Sequence, residues 1–211
     1  MNKIKNIIQK TKNLPYFTLD DLSCLEKNHH YLKVLLSRYY KKGDIKKLKK
    51  GIYVNLEYID KIKKNNLFSD YLEFISNVIY PSSYLSLDYV LYEYNIITEI
   101  PQNYTLVSIN KTSNISNDFG NFIYHKIKDN LFCGFDLIKK NNFNILKATK
   151  VKALFDFLYF RKNILNDITQ IEELRLNLES FTKKEKKEIE EYIILAKNKK
   201  MIKIFKTLWK I

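Results

Sequence analysis

The spacing of apolar residues in this chain changes abruptly at Gly43. From about His29 to Lys42 the apolar residues recur at helical spacing, which places four side chains on one face: Leu32, Leu35, Leu36 and Tyr39. Gly43 stands where a helix end favours a left-handed residue. The stretch that follows, "DIKKLKKGIYV", sets Ile45, Leu48, Ile52 and Val54 among charged residues around a KKG turn. The sequence therefore predicts an amphipathic helix followed directly by a two-stranded hairpin.

Two further segments precede this helix. Residues 2–12 carry Ile4, Ile7 and Ile8 at helical spacing, and Thr18 with Asp21 has the spacing of a capping box. Helix, helix, basic helix and basic hairpin is the order of a winged helix-turn-helix. We therefore predict such a domain over residues 1–60, within an α+β protein.

The face of the predicted helix opposite its apolar side is polar and basic. It carries six residues: His30, Lys33, Val34, Ser37, Arg38 and Lys41. Arg, Ser and His can hydrogen-bond base edges in the major groove, and Val can contact a thymine methyl group. The hairpin lysines would bind phosphates without reading sequence: Lys46, Lys47, Lys49 and Lys50. The alternative is a simple amphipathic helix with a solvated side.

The distribution of charge supports a polyanionic partner. The 211 residues carry a net charge of +14, but lysine alone indicates little in a chain this rich in Lys, Asn, Ile and Tyr. Residues 1–66 hold 16 Lys/Arg against 6 Asp/Glu, and the remaining 145 residues hold 21 against 17. A general compositional bias would spread lysine evenly, so the concentration favours binding of double-stranded DNA, with an anionic membrane surface as the rival.

The rest of the chain predicts a second domain. Residues 56–66, "LEYIDKIKKNN", resemble a polar connector, and residues 67–211 are predicted to form an α+β domain. Helical segments ("LFSDYLEFISNVIY", "SYLSLDYVLYEYNII") precede four strand-like runs: "NYTLVSI", "NFIYHKI", "LFCGFDLI" and "FNILKA". Helices return from Thr149 onward, and the last 30 residues predict two helices, or one bent helix, opening with a Thr182/Glu185 capping box and packed on the sheet.

Three stretches together resemble the AbiEi family, the antitoxins and transcriptional regulators of type IV toxin-antitoxin systems that act in abortive infection and phage defence. They are "GDIKKLKKGIYV", "PSSYLSLDYVLYEYNII" and "KATKVKALFDFLYFRK", the last similar to the family pattern A-T-x-x-K-A-L-x-D. The similarity runs in order over roughly residues 17–205. It implies an N-terminal winged helix that represses its own operon, and a C-terminal domain that counteracts a nucleotidyltransferase toxin with which it need not form a stable complex.

Carried over residue by residue, the resemblance assigns Ser86, Lys152 and Asp156 as antitoxin motif positions. The residues by themselves leave a plainer interpretation open. Lys152 and Asp156, four apart on one helix, can form a surface ion pair worth under about 1 kcal/mol, and Ser86 can simply start a helix. The chain departs from the family at Tyr89, which is bulky where a small residue is usual, so packing there is expected to differ.

Catalysis is not indicated by the sequence. No Ser or Cys has an evident base among His29, His30 and His125, and four glycines leave little scope for a phosphate-binding loop. Asp167, Glu185 and Lys187 are predicted to fall on a capped, highly charged helix rather than on rigid strands, which argues against a nuclease. We therefore expect neither an enzyme nor a cofactor or metal.

The remaining sequence features point to a cytoplasmic protein without a membrane partner. No apolar run reaches the roughly 20 residues of a membrane helix, and the N-terminus lacks a signal-peptide core. Cys24 and Cys133 are far apart and outside any CxxC motif, so both are expected to be free thiols.

Two alternatives to the autorepressor and antitoxin remain. One is a stand-alone winged-helix regulator, and the other is an interaction module whose basic end contacts RNA or an acidic protein. A neighbouring nucleotidyltransferase gene would separate the antitoxin from the first alternative. Exposed aromatic platforms would favour RNA.

Overall fold

A computed structural model describes residues 8–209 of the chain. The fold is mixed α+β, which confirms the fold class predicted from the sequence. Two sheets organise the described residues, a three-stranded sheet in the first 55 residues and a six-stranded sheet in the rest.

The three-stranded sheet carries the predicted helix and hairpin. A helix is predicted over residues 2–12. Residues 8–11 are helical and Lys12 lies in a turn, whereas residues 2–7 lie outside the described residues. The following elements are β1 (Phe17–Thr18), α1 (His29–Lys42), β2 (Ile45–Lys49) and β3 (Ile52–Asn55). The sheet order is β1-β3-β2, and both pairings are antiparallel. The predicted helix, its left-handed end at Gly43 (φ 84°) and the hairpin are all confirmed.

The capping box at Thr18 is present but opens a shorter element than a helix. The Thr18 backbone N–H donates to Asp21 Oδ2 at 2.7 Å, and the Asp21 N–H donates to Thr18 Oγ1 at 3.3 Å. These reciprocal bonds precede a 3₁₀ turn of three residues, Asp20–Leu22. Of this segment, Leu22 is the residue buried against α1.

The segment predicted as a polar connector is a helix, so that prediction is wrong. Helix α2 (Leu56–Lys64) begins at Asn55, whose side chain accepts a hydrogen bond from the Glu57 N–H at 2.9 Å. Ile59 and Ile62 are buried in the large core of the protein, while the charged residues occupy the outer face. The spacing of Ile59 and Ile62 is that of an amphipathic helix, but the many charged residues around them made the segment resemble a polar connector. The division into domains at residues 60–67 stays a prediction.

The six-stranded sheet lies in the second part of the chain. Its strands are β4 (Ser83–Leu85), β5 (Tyr104–Ser108), β6 (Ser113–Asn117), β7 (Gly120–Lys126), β8 (Phe135–Lys140) and β9 (Phe143–Ala148). Their order is β6-β7-β5-β4-β9-β8, with β4/β9 and β5/β7 parallel. The four predicted strands are found, although β8 begins four residues later than its apolar run. Sequence reasoning missed β4 and β6, because β4 is three residues long and β6 reads as the polar stretch "SNISN".

Helices cover both faces of this sheet. They are α3 (Phe68–Ile79), α4 (Leu87–Glu93), α5 (Lys150–Arg161), α6 (Ile168–Glu172), α7 (Lys183–Ala196) and α8 (Lys199–Trp209). Tyr124 donates its hydroxyl to the Ser76 carbonyl of α3, whereas its neighbour His125 packs on Phe160 of α5 with ring centroids 5.1 Å apart. Since adjacent strand residues point to opposite faces, α3 and α5 lie on opposite sides of the sheet.

The C-terminal pair of helices is confirmed, including the capping box of Thr182 and Glu185. Helix α7 packs mainly on α5, and α8 packs mainly on α6 and less extensively on α5 and α7, so the prediction that this pair packs on the sheet is wrong. The large core also takes in Leu48 and Val54 of the first part of the chain. The two parts of the chain therefore share apolar packing.

Candidate nucleic-acid interface and a buried motif cluster

Helix α1 is fixed at both ends and along one side. The Asn28 side chain accepts a hydrogen bond from the Tyr31 N–H at 3.0 Å, which caps the first turn. Leu32, Leu35 and Leu36 are buried against Phe17, Leu22 and Ile45, as predicted. Burial of one face leaves the other free to meet a partner.

All six residues of the predicted recognition face are exposed: His30, Lys33, Val34, Ser37, Arg38 and Lys41. Val34 stands out because 37% of an apolar side chain is exposed on an otherwise polar face. Sequence reasoning missed Tyr31 and Tyr40, which are exposed on the same helix at 37% and 44%. Their exposure depends on the extent of the small core around α1, which helical spacing alone does not define. This core consists of Phe17, Leu22, Leu32, Leu35, Leu36 and Ile45.

The four hairpin lysines fall into two pairs with different surroundings. Lys47 and Lys50 are exposed, and neither makes an ion pair with another residue of 8–209. Lys46 Nζ lies 2.8 Å from Asp118 Oδ2, and this hydrogen-bonded contact raises the pKa of Lys46. Lys49 Nζ donates to the Ile79 carbonyl at 3.0 Å and lies over the Tyr80 ring. Only two of the four predicted phosphate contacts are therefore immediately available.

The hairpin is anchored to the second part of the chain at its tip. A register shift between Lys47 and Lys49 marks a bulge in β2, at which Leu48 turns into the large core with 1% exposure. The Asn117 side chain donates to the Leu48 carbonyl at 2.9 Å. Gly51, with φ 87°, closes the turn in a conformation that most other residues disfavour.

The three antitoxin motif positions meet in one buried cluster. Asp156 Oδ2 accepts hydrogen bonds from Ser86 Oγ at 2.8 Å and from the Tyr84 hydroxyl at 2.9 Å, and Lys152 Nζ donates to Asp156 Oδ1. Ser86, Lys152 and Asp156 all have 0% exposure. The plainer interpretation of a surface ion pair is therefore wrong. We name this set, with Tyr84, the buried cluster.

Aromatic rings surround the ammonium of the buried cluster. Lys152 Nζ lies 5.7 Å from the Tyr84 ring centroid, 4.8 Å from that of Phe155 and 5.6 Å from that of Tyr192. Burial raises the pKa of Asp156, and Lys152 together with the two hydroxyls opposes that rise. The same burial, next to Asp156, raises the pKa of the Tyr84 hydroxyl.

The buried cluster ties three elements together. Ser86 precedes α4 at the N-cap position, but its side chain makes no capping bond and binds α5 through Asp156 instead. Leu87 follows with φ 59°, an unusual backbone conformation for a leucine. Because these side chains are inaccessible, they can position β4, α4 and α5 but cannot touch a partner directly. Tyr84, which sequence reasoning missed, stands two residues before Ser86 in the quoted motif.

A second ionic cluster lies beside α3, and sequence reasoning missed it entirely. Glu73, 2% exposed, accepts from Lys147 at 2.8 Å and from Lys140 at 3.0 Å, and Lys147 also reaches Glu93 at 2.8 Å. Burial opposes ionisation of Glu73, but the two ammonium groups lower its pKa overall. The Tyr89 hydroxyl donates to Glu73 at 3.0 Å, so this bulky side chain has a specific partner.

The two carboxylates considered for a nuclease serve as caps of different helices, so the prediction that Asp167 lies on the same helix as Glu185 and Lys187 is wrong. Asp167 accepts from the Gln170 N–H at 2.9 Å, and Glu185 completes the capping box with Thr182. Within residues 8–209 no group of three His, Cys, Asp or Glu side chains is placed to hold a metal ion. Cys24 and Cys133 are free thiols, and none of the described helices is long and apolar enough to cross a membrane.

Comparison with known proteins adds no assignment: no family model matches the chain, and no curated protein matches it.

Proposed function

We propose that the chain is a transcriptional regulator that binds double-stranded DNA through a winged helix, with α1 as the recognition helix and the β2–β3 hairpin as the wing. The observation that carries the proposal is the division of α1 into two faces. Its apolar side is buried, and all six residues of the opposite side are exposed beside Lys47 and Lys50, two hairpin lysines that have no ion-pair partner among residues 8–209. The element order also follows that of a winged helix, except that a 3₁₀ turn, Asp20–Leu22, stands where the second helix is expected.

The dimensions and chemistry of α1 suit the major groove. Its 14 residues extend about 21 Å, enough to cross a groove about 12 Å wide. Arg38 can make a bidentate contact to guanine, and Val34 can meet a thymine methyl group. Lys47 and Lys50 supply phosphate contacts that hold the helix in register.

Fluorescence anisotropy with a duplex from upstream of the protein's own gene, and with a scrambled duplex, tests the proposal. Arg38→Ala is expected to lose about 1 to 3 kcal/mol on the specific duplex only, because it reads a base. Lys47→Ala is expected to weaken both duplexes alike and to reduce the log-log salt slope by about one unit. Lys139→Ala, an exposed lysine on β8, is the matched control. Salt-independent binding would refute the proposal.

A second function, protection against a co-encoded nucleotidyltransferase toxin, rests on the resemblance to AbiEi antitoxins. The observation that favours it is that Ser86 and Asp156, 70 positions apart, meet with Lys152 in one hydrogen-bonded cluster. Residues of a family motif are expected to pack together in this way if the chain has the fold of that family. The operon's own operator and such a toxin are thus the proposed partners.

Coexpression tests the second function with the full chain, because both parts of the chain share one core. The toxin is expressed with the wild-type protein and with an Arg38→Ala, Lys41→Ala variant. Rescue of growth by both proteins is expected if protection is independent of DNA binding. Loss of rescue with the folded variant would mean that protection runs through DNA binding. Because a type IV antitoxin need not bind its toxin stably, failure to co-purify does not count against it.

The two alternatives are separated by the same measurements. Absence of a neighbouring nucleotidyltransferase gene would leave a stand-alone regulator. The exposed Tyr31 and Tyr40 could stack bases, so single-stranded RNA belongs in the binding assay. Tighter binding of RNA than of either duplex would favour the RNA-binding module.

A further inference from the structure

A polar groove separates the β2–β3 hairpin from strand β6 of the large sheet. It encloses about 420 Å³, and its lining residues include Lys47, Lys50, Asn114 and Ser116. We call it the hairpin–edge groove. It lies next to the proposed DNA-binding surface but is half built from the second part of the chain, to which no nucleic-acid contact is assigned above.

The two walls of the groove are fixed relative to each other. Lys46 binds Asp118 at 2.8 Å, Asn117 binds the Leu48 carbonyl at 2.9 Å, and Lys49 binds the Ile79 carbonyl at 3.0 Å. Leu48 is buried in the core of the second part. An ion pair, two hydrogen bonds and apolar packing therefore connect the hairpin to the second part of the chain.

The chemistry of the walls suits a phosphodiester backbone. Lys47 and Lys50 contribute unpaired ammonium groups from the hairpin. Across the groove, Asn114 and Ser116 are exposed, and neither side chain hydrogen-bonds another described residue. Phosphate oxygens accept hydrogen bonds only, and Lys, Asn and Ser side chains are common donors to them. Asp118 also lines the groove, and its carboxylate is paired with Lys46 at 2.8 Å.

Strand β6, which carries Asn114 and Ser116, also has one edge that pairs with no other described strand. It is an edge strand, paired with β7 on one side only, so the N–H groups of its outer side are not used in the sheet. Backbone N–H groups also bind phosphates. The apolar residues that line the groove are Tyr40, Leu48 and Ile115. Leu48 is buried and Ile115 is half-buried, so among the lining residues only Tyr40 offers an exposed apolar surface, whereas an acidic peptide would need several apolar anchors for affinity.

We propose that the hairpin–edge groove carries the phosphate backbone of the bound duplex past the hairpin, so that Asn114 and Ser116 of the second part of the chain are DNA-contacting residues. This rests on the proposed DNA-binding function. It means that the interface is composite: the first 60 residues alone lack one wall of it.

The test is anisotropy with the full chain, both duplexes and a salt series. Asn114→Asp with Ser116→Asp places two negative charges in the groove and is expected to weaken binding of both duplexes by about tenfold. Asn114→Lys with Ser116→Lys is expected to tighten both and steepen the salt slope, which keeps the proposal testable if the acidic variant fails to fold. The matched control is Asn142→Asp with Asn144→Asp, exposed positions at and beside the β8–β9 turn.

A separate arm removes the hairpin charges with Lys47→Ala and Lys50→Ala. If this arm weakens binding but the groove variants behave like the control, the groove is not part of the interface, while the proposed DNA-binding function stands. If neither arm changes binding and Arg38→Ala is also without effect, both proposals fail. If the groove variants lose binding to a poly-glutamate peptide but keep binding to DNA, the groove belongs to an acidic protein partner and the inference is overturned.

Discussion

Replacing Lys152 by methionine tests whether the buried cluster stabilises the fold as its geometry indicates. Lys152→Met keeps the length and apolar stem of the side chain and removes the ammonium. Asp156, fully buried, is then left with only the hydroxyls of Ser86 and Tyr84 as partners. Removing one member of a buried ion pair costs about 3 to 5 kcal/mol, because the other charge stays desolvated.

The matched control lies on the same helix. Lys150 pairs with Glu185 at 2.7 Å, but its side chain is 17% exposed and that of its partner is 25% exposed. Lys150→Met is therefore expected to cost about 1 kcal/mol or less. The difference between the two variants isolates the effect of burial from the loss of a lysine charge.

The assay is chemical denaturation of the two variants, of Asp156→Asn and of the Lys152→Met, Asp156→Asn double variant. In the double variant the buried cluster contains no charged side chain. Its loss in free energy of unfolding is therefore expected to be smaller, by about 2 kcal/mol or more, than the sum of the two single losses. A loss under about 1 kcal/mol for Lys152→Met, or simple additivity, would refute the interpretation.

The pH dependence gives an independent check with a definite sign. Burial raises the folded-state pKa of Asp156, so the folded protein binds this proton more tightly than the unfolded chain does. Its contribution to stability is present below the unfolded pKa of about 3.9 and is lost as pH rises through the folded value. Removal of Lys152 raises the pKa further, so the deficit of Lys152→Met is expected to shrink as pH falls from 8 to about 5.

Two further predictions concern DNA binding and the turn next to the buried cluster. Asp118→Asn is expected to strengthen binding of both duplexes severalfold by releasing Lys46, and this gain should vanish in a Lys46→Met background. The control is Asp136→Asn, at an exposed site on β8. An equal gain in the control would show only a net-charge effect. Gly134→Ala is expected to reduce the free energy of unfolding by more than about 1 kcal/mol, because φ is 74° and the added Cβ would lie 2.3 Å from the Tyr192 hydroxyl. Gly51→Ala, where φ is 87° and the space is open, should cost only about 1 kcal/mol. Equal thermal shifts for the two variants would contradict the packing argument.

The sequence by itself determined the elements whose signals are local. Helix α1, its end at Gly43 and the β2–β3 hairpin follow from apolar spacing and one glycine, because a 3.6-residue or two-residue period defines which side chains share a face. The capping residues Thr182 and Glu185 were readable for the same reason, since their partners lie three positions away. Six exposed residues of α1 could therefore be named from the sequence, although Tyr31 and Tyr40 were missed.

The tertiary structure decided everything that depends on distant residues. Lys152 and Asp156 look like a surface pair in the sequence, and only their packing against β4 and α7 buries them. Lys46 and Lys49 look like their neighbours Lys47 and Lys50, yet Asp118 and the Ile79 carbonyl engage them from 72 and 30 positions away. The physical reason is that a sequence pattern encodes the direction of a side chain, whereas the charge, exposure and availability of that side chain depend on which other segment of the chain packs beside it.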